Sequence, residues 1–117
     1  MKLGLFTALY ADLPLADMLE KVKAMGIEAV ELYTGKLGAP SHCDPAILLN
    51  SDAKLQEFKD TIEQFGLPIS QLNCSGNPVS PIPGEAAKHK EAFLQTIRLA
   101  EKLGVDTIAN FSGCPGG

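Results

Sequence analysis

One junction occurs three times in this chain: an amphipathic run that ends in glycine and leads into a short apolar or β-branched run. The copies read Ala24-Met25-Gly26-Ile27-Glu28-Ala29-Val30, Gln64-Phe65-Gly66-Leu67-Pro68-Ile69 and Lys102-Leu103-Gly104-Val105-Asp106-Thr107-Ile108, with the glycines 40 and 38 residues apart. Glycine in that place ends a helix in the left-handed conformation at little steric cost. Helix, glycine and strand repeated at such a period predict stacked βα units around a parallel sheet.

The segments between the junctions fill in the order. Leu3 to Phe6 is a first apolar strand, and Asp12-Leu13-Pro14 opens a helix with the proline suited to a first turn. Leu15, Met18, Leu19, Val22 and Met25 then recur at spacings of three and four, one buried helical stripe. Strand two is expected over 27–33. A Gly/Pro-punctuated loop follows over 34–45, long enough to be of functional interest. Asp44-Pro45 begins a short helical turn, and Ser51-Asp52 caps a longer helix to Gln64, with Leu55, Phe58, Ile62 and Phe65 in helical phase. Strand three covers 67–73, and a second proline-rich loop runs from Cys74 to Gly84. A helix from Glu85 to Leu103 carries Phe93, Leu94, Ile97, Leu99, Ala100 and Leu103 as its apolar set, and strand four covers 106–111. The order βαβαβαβ fits either a doubly wound sheet or the start of a (β/α)8 barrel. Both place sites at the carboxyl ends of the strands. Thr7-Ala8-Leu9-Tyr10-Ala11-Asp12 after strand one contains no glycine, which speaks against a dinucleotide fingerprint. The long later loops favour the barrel. The expectation is therefore an α/β chain, the (βα)3β portion of a (β/α)8 TIM barrel with parallel strands. Residues 1–117 would form a single partial domain, the amino-terminal half, truncated in its glycine-rich end.

Composition excludes several classes. The net charge is −4 with no concentration of Lys or Arg, so nucleic-acid binding has no electrostatic footprint. No apolar run approaches the roughly 20 residues of a membrane span, and Met1-Lys2-Leu3-Gly4-Leu5-Phe6 is too short and too soon polar for a signal peptide. Three widely spaced cysteines do not make a disulfide framework, so a reducing cytoplasm is the expected location.

The residues expected at the strand ends are Phe6, Thr7 and Tyr10; Glu31, His42, Cys43 and Asp44; Asn73, Cys74, Ser75, Asn77 and Ser80; and Asn110, Ser112 and Cys114. Such a set is rich in hydrogen-bonding groups and poor in basic ones, a lining for a neutral polyol more than a clamp for a highly charged phosphate. The substrate-binding candidates are Phe6, Tyr10, Glu31, His42, Asn73, Asn77, Asn110 and Ser112. A solvent-facing position is the competing reading for Glu31, because a buried carboxylate needs a partner, and likewise for His42. His89, between Lys88 and Lys90, is expected in solvent.

Cys43, Cys74 and Cys114 all fall just past strands and share one expected rim with His42, so three thiols and an imidazole could in principle hold zinc. No Cys-x-x-Cys pair is present, however, and small apolar side chains at loop bases are the plainer reading. No metal site is assigned. Glu28 and Glu31, three apart in a strand, point to opposite faces and cannot serve one ion.

Lys2-Leu3-Gly4-Leu5-Phe6-Thr7, Gly26-Ile27-Glu28-Ala29-Val30-Glu31-Leu32, Cys74-Ser75-Gly76-Asn77-Pro78 and Thr107-Ile108-Ala109-Asn110-Phe111-Ser112-Gly113-Cys114-Pro115-Gly116 together resemble the sugar phosphate isomerase/epimerase family. These are the xylose isomerase-like (β/α)8 barrels related to endonuclease IV. The resemblance implies a divalent cation (manganese, magnesium or zinc) held by Glu, Asp and His of the later strands, with two glutamates flanking the substrate carbons. On that reading no catalytic or metal residue lies in this chain. It would supply one wall of a pocket for a sugar or sugar phosphate. Ser75 and Ser80 stand where relatives tend to have His, which removes a ligand or base from that loop.

The reaction implied is isomerisation or epimerisation by metal-assisted proton abstraction next to a carbonyl. The alternative is a non-catalytic half barrel that pairs with itself or a partner, because strands one and four would otherwise be open parallel edges and form a homo-oligomer through them. An endonuclease activity fits the acidic balance least.

Overall fold

The computed structural model describes residues 1–36, 38, 40 and 42–116. Within the 34–45 loop, positions 37, 39 and 41 lie outside the described residues, as does Gly117.

Four strands, β1 (Gly4–Phe6), β2 (Ala29–Tyr33), β3 (Ile69–Cys74) and β4 (Ile108–Asn110), form one sheet in the order β1-β2-β3-β4, every pair parallel. Strand order that follows chain order is the winding of a barrel. A doubly wound sheet reverses direction near its middle. A short 3-10 turn over Thr7–Tyr10 leads to helix α1 (Leu15–Ala24). Helices α2 (Pro45–Leu48) and α3 (Asp52–Phe65) precede β3, and α4 (Glu85–Leu103) precedes β4. The three junction glycines adopt φ of +82°, +63° and +69° at Gly26, Gly66 and Gly104, so the repeat reads the backbone correctly. Caps follow the local chemistry. The Ser51 hydroxyl accepts from the Lys54 N–H at α3, and the Asp44 carboxylate accepts from the Ala46 N–H at α2.

Alternation along the strands sends one set of side chains to the helices and the other away from them. Val30, Leu32 and Leu72 are fully buried against Met18, Leu19 and Val22 of α1, Leu55 and Phe58 of α3, and Leu99 of α4. Burial of each such side chain stabilises the fold by about 1.5–3 kcal/mol. The ladder is irregular at one point: Val30 stands level with Ile69, but Glu31 stands level with Gln71, so β3 carries one extra residue there, a β-bulge. The Ser70 hydroxyl, at the bulge, donates to the Val30 carbonyl.

One sequence expectation is corrected on α4, the solvent position of His89. Along this helix Leu99 and Ala100 are buried together with His89 and Thr96, whereas Leu94 and Ile97 are exposed. The Thr96 hydroxyl is satisfied by the Ala92 carbonyl and by Thr34 Oγ1 at 2.8 Å, so a polar residue sits in the buried line without an unmet hydrogen bond. His89 is not in solvent. It is buried against the loop that follows β3.

Candidate functional site

On the face of the sheet away from the helices, the carboxyl ends of β1, β2 and β3 bring together Phe6, Glu31, Tyr33 and Asn73. Phe6 is level with Glu31, and Tyr33 with Asn73 and Ala109. Asn73 Nδ2 donates to Glu31 Oε1 at 2.8 Å, and the Ser75 hydroxyl donates to Asn73 Oδ1. Phe6 and Tyr33 meet edge to face, with ring centroids 6.1 Å apart and planes at 81°. The Tyr33 hydroxyl accepts from the Lys36 N–H at 2.9 Å, which anchors the start of the following loop to the ring. Below them Thr7, fully buried, donates to the Glu31 carbonyl and so holds the first loop against β2.

The result is a line of polar groups, Ser75, Asn73 and Glu31, beside an aromatic pair. Glu31 is half-buried and its carboxylate is partnered by the Asn73 amide. The second carboxylate oxygen of Glu31, the hydroxyl of Ser75 and the aromatic edges are what this surface offers a ligand. A carboxylate and amide pair suits neighbouring hydroxyls, and aromatic rings suit the C–H faces of a sugar. Tyr33 was absent from the sequence candidates. The signal that would have found it is its parity with Glu31 in β2.

The other candidates are not brought to this cluster. Tyr10 turns back onto α1: its hydroxyl donates to Met25 Sδ at 3.7 Å and Lys21 Nζ lies 4.9 Å from its ring centroid. His42 is buried, and because a carbonyl only accepts, its Nε2–H donates to the Leu13 carbonyl at 2.8 Å, tying the loop after β2 to the loop after β1. Asn110 is exposed and level with Cys74, the opposite parity from Asn73 and Ala109. Ser112 is exposed beyond β4. Asn77 is committed to the next loop. Its Nδ2 donates to the Cys114 carbonyl and its Oδ1 accepts from the Cys114 N–H, each at 2.8 Å.

The cysteine rim dissolves. Cys43 lies in the hydrophobic core, Cys74 is buried and Cys114 is exposed. Burial, with a smaller contribution from the Asp44 carboxylate, pushes the Cys43 thiol up to about 12. Among the described residues no three His, Cys, Asp or Glu side chains gather at metal-binding spacing, so His42, Cys43, Cys74 and Cys114 do not form the contemplated zinc set. A hollow of about 410 Å³ lies instead on the helical side between α2 and α4, lined by Pro45, Leu49, Gln95 and Arg98, away from the polar line.

Comparison with known proteins agrees with the winding of the sheet. Residues 19–117 match the family described as xylose isomerase-like TIM barrels. The chain belongs to this family. It is also 37% identical over 118 residues to a Bacillus subtilis (strain 168) protein described as uncharacterized protein YfiH, a match that covers all of this chain and 37% of that relative. The chain thus spans little more than a third of the relative's length. Family membership points to sugar isomerases and epimerases or to endonuclease IV-like enzymes, which are generally metal-dependent. No helix among the described residues is long and apolar enough to cross a membrane.

Proposed function

We propose that this chain forms one wall of the pocket of a sugar or sugar phosphate isomerase or epimerase, an enzyme that moves a proton next to a carbonyl. The observation that carries the reading is the Asn73–Glu31 pair, set across adjacent strand ends on the face away from the helices and flanked by Phe6 and Tyr33. Glu31 and Asn73 bind ligand hydroxyls, Ser75 orients the Asn73 amide, and the aromatic pair covers one face of the sugar and excludes water. Of the stretches that follow the strands, 7–14, 34–44, 75–84 and 111–117, only the second carries a basic residue, Lys36, and that scarcity favours a neutral sugar or the sugar end of a phosphorylated one.

The implied cation is a poor fit to this chain alone. Glu31 is a single carboxylate already engaged by Asn73, and no third ligand gathers around it among the described residues. The metal-dependent chemistry of the family therefore belongs to residues outside this wall, and these residues act by binding and orientation.

The test is to incubate the whole protein in deuterated water with a panel of ketoses, aldoses and their phosphates, supplying manganese, magnesium and zinc in turn. Solvent deuterium should enter the carbon next to the carbonyl of at least one sugar, as read by NMR. Glu31→Gln should weaken binding of that sugar about tenfold, the loss of a charge-assisted hydrogen bond. Absence of both exchange and binding across the panel would sink the reading.

A second reading, a half barrel that pairs with another copy, draws on one feature. Leu94 and Ile97 of α4 and Phe111 just after β4 are exposed, as are Leu3 just before β1 and Leu9 just after it. Light scattering on the gene's own product separates the two, since a self-paired half barrel runs as a dimer of this 12.4 kDa chain.

A further inference from the structure

Two glycines of the rim stand where a side chain would crowd a neighbouring element, tightly at Gly76 and with outright overlap at Gly113. A Cβ on Gly76 would come within 3.1 Å of His89 Nδ1. A Cβ on Gly113 would come within 2.6 Å of Asn77 Oδ1 and 2.7 Å of Val79 Cγ2, and Gly113 also holds a φ of +93°. These bare positions let α4, the loop after β3 and the loop after β4 close on one another. The contacts they permit form a relay. Buried His89 accepts at Nδ1 from the Asn77 N–H. Asn77 then grips Cys114 with both atoms of its carboxamide. A carboxamide held at both ends cannot rotate without breaking two hydrogen bonds, and its backbone cannot drift without breaking a third.

We propose that His89 is a positioning residue for the rim: it fixes the backbone of Asn77, Asn77 clamps Cys114, and the loops after β3 and β4 move as one body. The imidazole is suited to the task because Nδ1 provides a bare acceptor at the right height above α4, whose own carbonyls are used along the helix axis. The polar surroundings of His89 in sequence give no other reason to bury it. The rim being where a sugar sits rests on the function proposed above, but the coupling of the loops does not.

Hydrogen exchange with peptide-level mass spectrometry on the full-length protein tests this. In His89→Leu and in Asn77→Ala, the Cys114 amide should exchange about fivefold faster, the loss of one ordinary hydrogen bond. The amides of β2 and β3 should keep their rates. His89→Asn, whose Oδ1 replaces Nδ1 as an acceptor, should restore the slow rate at Cys114. Unchanged exchange at Cys114 in both variants overturns the proposal. So does equal acceleration of β2 and β3 in His89→Leu, or a His89→Asn variant as fast as His89→Leu, since each marks His89 as packing only. Where the protein turns over a sugar, His89→Leu should raise KM severalfold and leave kcat within twofold. Should the exchange pattern hold while no sugar is bound or turned over, the relay stands and only the sugar reading fails.

Discussion

The first two rim loops and the last two are each fastened together, by opposite means. Between the loops after β1 and β2, one part-buried hydrogen bond among the described residues runs from the buried His42 ring to the Leu13 carbonyl. Between the loops after β3 and β4, an exposed amide makes two bonds, backed from below by His89. A part-shielded bond gives water less opportunity to replace it. Two exposed bonds compete with water but fix orientation as well as distance. The first pair is therefore built for stability and the second for geometry. The loop after β3, half of the second fastening, begins with Ser75 of the Ser75–Asn73–Glu31 line.

Substitutions should separate the two. His42→Leu removes the donor and leaves the half-buried Leu13 carbonyl without that partner. The expected loss is about 1–3 kcal/mol in urea unfolding, the largest single effect of this group. A result near zero would mean that water reaches the carbonyl and that the first fastening is no more shielded than the second. Cys43, next to His42, offers a pH test of the same closure. Its thiol ionises near its ordinary value of 9 in the unfolded chain and only near 12 when folded. Above pH 9 the unfolded state loses the proton first, so stability should fall by about 1.4 kcal/mol per pH unit from this group and be unaffected by it below pH 9. The slope should be missing in Cys43→Ala. Asn77→Ala should cost least, about 0.5–1.5 kcal/mol, with the change confined to exchange at the β3 and β4 loops.

The legible part of this molecule was its periodicity. Gly26, Gly66 and Gly104 fixed three helix ends, and α4 occupies the expected span from Glu85 to Leu103. The choice of barrel over doubly wound sheet, which rested on loop lengths, agrees with the strand order. Glu31, Asn73 and Phe6 could be placed because strand ends and parity are local properties. What escaped depended on contacts distant in sequence. His89 looked solvated among lysines, and its burial follows from Gly76, thirteen positions earlier, leaving room for the ring. Tyr10 and Cys43 share rim positions with the polar line, yet one folds back on α1 and the other sinks into the core. No spacing rule reports which way a loop side chain turns. Likewise, α4 carries more apolar residues than the sheet can cover, so pattern alone could not say that Thr96 is inside while Ile97 is out.

The extra residue in β3 has a consequence for how this wall tolerates change. Counting from Ile69 without it, Leu72 would fall on the face of Glu31 and Tyr33, while Gln71 and Asn73 would turn into the oil beneath the helices. A single extra residue thus works as a phase shift that decides which side chains of the strand after it face the helices and which face away. Point substitutions at Ser70 leave that phase alone. Losing Ser70 itself would close the bulge with Ile69 still level with Val30 and Gln71 with Glu31, so the strand can drop that residue and keep both faces. Closing the bulge with every residue kept would exchange them.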